Sequence, residues 1–100
     1  MALLKRFRLR AVIFHGFIGS PEQAARAVAG GYYLSFGLRS FRSPRTVQAL
    51  RSTPPQRLFL ETDDGLESID AVYTAAAQLL ETPLETLKQT IYTNYLRIFS

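Results

Sequence analysis

Three nearly continuous apolar runs constrain this chain more than any other feature. They are AVIFHGF (Ala11 to Phe17), GYYLSFG (Gly31 to Gly37) and RLFLETD (Arg57 to Asp63). None alternates apolar with polar residues as a half-exposed strand does. Continuous runs of this kind suit strands buried on both faces, as in parallel sheets.

The segments between them carry helix signals. Ser20-Pro21-Glu22-Gln23 offers an N-cap serine, a proline at the first helical position and a glutamine three residues after the cap. Ala24 to Val28 continues that helix, and Gly30-Gly31 stops it. Ser43-Pro44 opens a second helix through Val47 and Leu50, which ends before Pro54-Pro55. Strand, helix, strand, helix, strand predicts right-handed βαβ units.

Two helices follow the third strand. Ile69, Val72, Tyr73, Ala76, Leu79 and Leu80 form an apolar stripe at helical spacing. Thr82-Pro83-Leu84-Glu85 reads as a capping box, and Leu87, Ile91, Asn94 and Ile98 share one face of the helix after it. Tyr32 and Tyr33, inside the second strand, read as core.

A chain of 100 residues holds one domain at most. It has no cysteine, which excludes a disulfide framework and thiolate chemistry and fits a reducing, cytoplasmic compartment. No apolar run is long enough to span a membrane. Charge is unevenly placed. Residues 1–58 carry ten Lys or Arg against one acid, Glu22, while residues 59–100 carry seven acids against two bases. The basic part is open to two readings, an anionic partner such as nucleic acid or a basic surface with no specific ligand. MALLKRFRLR lacks the apolar core and cleavage site of a secretory signal. It reads as the last turn of a helix and a loop entering the first strand, rather than as a targeting peptide or basic arm.

Each apolar run turns polar near its carboxyl end, at His15, at Ser35, and at Thr62 and Asp63. In α/β sheets and barrels, sites form at that end of the strands. His15 is the sole histidine and is either a hydrogen-bonded structural residue or a ligand. Asp63 and Asp64 are open to three readings: a charge pair at a helix N-terminus, metal ligands, or a general base. Arg39, Arg42 and Arg45, after the second strand, suit phosphate or form a solvated loop.

Three stretches together resemble a known family. FHGFIGSPEQAARAVAGGYYLSFG is similar to the H-C-F-x-G-S-x-E … G-x-Y-x-S-F segment of TatD-like deoxyribonucleases. RLFLETD resembles that family's R-L-L-L-E-T-D, and IYTNYLRIF its closing T-x-N-x-x-R-L-F. The resemblance implies the carboxyl-terminal portion of a TIM-like barrel, with about three parallel strands, flanking helices and two final helices. It implies a metal-dependent hydrolase that cleaves phosphodiester bonds in DNA, with two divalent ions (Mg, Mn or Zn) in a complete member. By motif match His15 is a metal ligand or phosphate contact, and Asp63 binds metal and orients the attacking water. Glu61 and Thr62 match motif positions and are implied to support the site; Asp64 and Asn94 are expected to support it as well, and Arg39, Arg42 and Arg45, on their own charge and placement, to contact substrate.

The departures are informative. With one histidine, the chain lacks the family's H-x-H pair, its other ligand histidine and the upstream glutamate. Asp64 stands where most relatives have alanine, and DGLES leads straight towards a helix. Residues 1–100 are therefore expected to be one partial domain, with 1–10 the remnant of a preceding helix and loop. A closed barrel takes roughly 250 residues, and three strands leave open edges that invite another chain. The expectation is a fragment, inactive alone, that self-associates or pairs with a missing amino-terminal half. A degenerate, non-catalytic module that binds nucleic acid is the alternative.

Overall fold

The structure is a computed structural model that describes residues 12–62 and 68–99. The order is β1 (Ile13–Phe14), α1 (Pro21–Ala29), β2 (Tyr33–Phe36), a 3-10 turn (Ser40–Arg42) and α2 (Pro44–Ser52). A second 3-10 turn (Pro55–Arg57), β3 (Leu58–Leu60), α3 (Ile69–Leu80) and α4 (Leu84–Phe99) complete it. The reading of residues 1–10 lies outside the described residues.

The strands form one sheet in the order β1-β2-β3, and both pairs are parallel. A helix returns the chain between successive strands, which is what parallel pairing requires. Tyr33 pairs with Ile13, and Ser35 with Phe59. The ladder extends past the strands, with the Phe17 N–H donating to Ser35 O at 2.9 Å and the Glu61 N–H to Phe36 O at 3.0 Å.

Side chains alternate across this sheet. Leu34, Phe36, Leu58 and Leu60 face the helices and build the core with Ala24 and Ala27 of α1, Ala49 and Leu50 of α2, Val72 and Ala76 of α3, and Leu87 and Ile91 of α4. The alanines allow the helices to approach closely. Burying a large apolar side chain such as Phe36 or Leu34 contributes about 1.5–3 kcal/mol. The other face carries Ile13, Tyr33, Ser35 and Phe59, and that face holds the site.

The starts of α1 and α2 follow the sequence signals closely. Ser20 Oγ accepts from the Gln23 N–H at 3.1 Å, and Gln23 Oε1 accepts from the Ser20 N–H at 2.8 Å, so the capping box forms in full. Ser43 caps α2 through the Thr46 N–H, with Pro44 at the first position. Leu87, Ile91, Asn94 and Ile98 are the buried residues of α4.

Three expectations are corrected. β2 is buried along its whole length, but β1 is not, and Phe14 is 45% exposed. β1 is an edge of the described sheet, with two paired residues, so its apolar character alone does not cover it. The stripe on α3 is shifted, with Ile69 exposed and Ala77 buried. Thr82 does not cap α4. Its hydroxyl donates to Leu80 O at 3.1 Å and its N–H to Ala77 O at 3.0 Å, so it closes α3 instead. No helix among the described residues is long and apolar enough to cross a membrane.

Candidate active site at the carboxyl ends of the strands

Parallel strands bring their carboxyl ends to one rim, and two polar side chains meet there. His15 follows β1, Glu61 follows β3, and His15 Nδ1 lies 2.9 Å from Glu61 Oε1. The two residues are 46 positions apart in sequence. β2 runs between their strands, so the backbones are about 10 Å apart. The contact therefore depends on what β2 presents between them. By register, Ser35 is level with His15 and Gly37 with Glu61. Both are small, and a bulky side chain at position 35 would stand in the gap.

The backbone around His15 is closely specified. Gly16 adopts φ +59°, a left-handed conformation that β-carbon sterics disfavour in other residues. Phe17 then rejoins the ladder on Ser35. Gly19 has a different reason to be glycine, because a Cβ there would come within 2.6 Å of the Gln23 side chain that completes the capping box. Buried Thr46 holds this loop, its Oγ1 accepting from the Gly19 N–H at 3.0 Å and donating to Gly19 O at 3.1 Å. This clamp between the β1–α1 loop and the start of α2 was missed by sequence reasoning, since a helical threonine carries no signal for so distant a partner.

Beside the pair lies an open depression of about 410 Å³, lined by Ile13, His15, Ser35, Phe59, Glu61 and Thr62, with Tyr95 and Phe99 of α4 at its edge. Strand alternation could have found its apolar members, since Ile13 precedes His15 by two residues and Phe59 precedes Glu61 by two. The ring of Tyr33 packs against Phe59 with centroids 5.6 Å apart, and the Arg57 guanidinium lies 4.8 Å over Tyr33.

The other expected residues distribute as follows. Thr62 is half-buried beside Glu61. Arg39, Arg42 and Arg45 are exposed on the segment that leaves the carboxyl end of β2 and enters α2. Asp63 and Asp64 lie outside the described residues. Asn94 sits away from the rim, at the opposite end of β3, where its Nδ2 donates to Pro55 O at 2.7 Å and Leu58 O at 2.9 Å. It anchors the start of β3 rather than touching the rim pair.

Among the described residues, no three His, Cys, Asp or Glu side chains gather as metal ligands. The rim offers one imidazole and one carboxylate, already bonded to each other. Zinc takes three or four protein ligands and calcium more oxygens still, so this donor set does not by itself fit a metal ion.

A three-stranded parallel sheet with helices packed on one face and polar residues on one rim has clear counterparts. The sequence matches the TatD-related DNase family model over residues 1–100. The chain belongs to this family. It is 33% identical to an uncharacterized metal-dependent hydrolase of Haemophilus influenzae over 113 aligned positions, covering 97% of this chain and 43% of that protein. YJJV, a TatD homologue from Escherichia coli K12, superposes with a TM-score of 0.79 at 26% identity, over 99% of this chain and 44% of that one. A TatD-family hydrolase from Entamoeba histolytica superposes with a TM-score of 0.75 at 15% identity, over 86% and 41%. The chain thus spans less than half the length of these relatives, and its fold is that of part of a TatD barrel.

Proposed function

We propose that this chain is the carboxyl-terminal part of a metal-dependent phosphodiesterase that hydrolyses DNA in the cytoplasm, and that residues 1–100 form a single partial domain. The observation that carries this reading is the 2.9 Å contact between His15 and Glu61 at the strand ends, in the segments that match the family. The name of the Haemophilus relative, a metal-dependent hydrolase, supports the reaction class. In the reaction, the oxygen of water forms a bond to phosphorus, the bond to a sugar oxygen breaks, and that oxygen leaves with a proton. His15 and Asp63 are this chain's metal ligands, and further donors come from outside the described residues. Arg39, Arg42 and Arg45 take the phosphate backbone through charge-assisted hydrogen bonds. Glu61, Thr62 and Asp64 support them.

Alone with DNA and Mg²⁺ or Mn²⁺, the chain is expected to hydrolyse at the background rate. Mixed with a separately purified amino-terminal portion of YJJV, it is expected to gain metal-dependent cleavage that His15→Ala or Asp63→Ala abolishes. Cleavage indifferent to both substitutions overturns the reading. A second reading, a non-catalytic nucleic-acid-binding module, draws on the ten bases against one acid in residues 1–58. Salt-sensitive DNA binding that survives both substitutions together, without cleavage in the mixture, selects it.

A further inference from the structure

We infer that Glu61 is a positioning residue that fixes the tautomer of His15, its carboxylate accepting a hydrogen bond from Nδ1–H so that the proton stays on Nδ1 and Nε2 is left as the acceptor nitrogen of the ring. An ionised carboxylate only accepts hydrogen bonds, so a 2.9 Å contact with Nδ1 requires the hydrogen on Nδ1. In a neutral imidazole the other nitrogen then carries the lone pair.

The geometry says which partner orients the other. Glu61 is the fixed one, with its backbone N–H bonded to Phe36 O at 3.0 Å and its side chain only 25% exposed. The His15 side chain is 73% exposed and could sample other rotamers without this contact. Its backbone is held on both sides, by the Tyr33 N–H on Val12 O and the Phe17 N–H on Ser35 O, each at 2.9 Å. The carboxylate therefore selects ring orientation and proton position together. This suits a nitrogen that must accept a proton or bind a cation at the rim. The proposed hydrolase reading supplies only the use of the lone pair; the tautomer stands without it.

The chain has one histidine, so in a sample without a histidine tag its imidazole ¹⁵N spectrum contains a single ring. Long-range ¹H–¹⁵N correlation at about pH 8.5, on the neutral side of ordinary histidine, reads the tautomer directly. The expected wild-type result is a protonated Nδ1 and a bare Nε2. Glu61→Ala is expected to exchange the two assignments, because the free ring in water favours Nε2–H. A role for Glu61 in folding alone would not move the proton between nitrogens. Wild-type protein with Nε2–H dominant overturns the inference even if Glu61→Ala does not fold. A Glu61→Ala spectrum unchanged from wild type also overturns it. Failure of the DNA-cleavage test with the tautomer intact removes the hydrolase reading and leaves this one standing.

Discussion

The two ends of β3 are built on different principles. At the amino end, Asn94 is 1% exposed, and its Nδ2 ties together the carbonyls of Pro55 and Leu58. Its Oδ1 accepts from Arg97 at 2.9 Å, and Arg97 also donates to Gln56 O. The amide of Asn94 is buried and bonded through both its nitrogen and its oxygen, with the exposed Arg97 closing the network on its solvent side, so removing Asn94 breaks several bonds at once. At the carboxyl end, Glu61 meets His15 in a single contact open to water. Solvent can replace that partner at little cost. A strand can thus be secured at one end and left chemically available at the other, a division that sites at strand ends require.

Removing the anchor is the severest way to break this contrast. Asn94→Ala removes the side-chain donor from the buried Leu58 O and one of the two donors to Pro55 O, which keeps the Leu58 N–H, and is expected to lower stability by about 3 kcal/mol, read from urea unfolding. Asn94→Asp is not expected to rescue it, because a carboxylate brings acceptors to carbonyls that need a donor. A loss below about 1 kcal/mol would show that the amino end is no better secured than the rim. The rim responds to bulk instead. Ser35→Leu places a branched side chain between His15 and Glu61 and is expected to cost about 1–2 kcal/mol. Its sharper signature is a His15 ring spectrum that matches Glu61→Ala. An unperturbed spectrum would mean that the gap across β2 does not govern the pair.

How much of this was legible in the sequence differs between neighbouring elements. The α1 capping box could be read from Ser20, Pro21 and Gln23 because all its bonds are local. The buried face of α4 could be read too, since helical spacing alone places Leu87, Ile91, Asn94 and Ile98 together. What Asn94 bonds to could not, because Pro55 and Leu58 are 39 and 36 residues away. Thr82 misled because two helices compete for it. Glu81 adopts φ 53° at the end of α3, and the following N–H returns to Ala77, so the preceding helix claims the threonine. β1 and β2 read alike as apolar runs, yet only the central strand is covered on both sides. The motifs placed His15 and Glu61 near strand ends. That they touch is a matter of register and of small residues at 35 and 37, which no local pattern reports.

The smallest expected effect tests the exposed side of the contrast. His15→Ala and Glu61→Ala are each expected to change stability by less than about 1 kcal/mol, because both partners retain access to water. A double-mutant cycle isolates the pair itself, and its coupling energy is expected at about 0.2–1 kcal/mol in dilute buffer. In about 1 M salt the Debye length contracts to roughly 3 Å, comparable with the contact distance, and the coupling is expected to shrink. Asn94→Ala should show a weaker salt dependence, since two of the three bonds of Asn94 are neutral amide–carbonyl bonds and only the one from Arg97 carries charge. A rim coupling above about 2 kcal/mol that persists in salt would mean that His15 and Glu61 brace the fold as Asn94 does. The carboxyl end would then have no slack for a substrate to use.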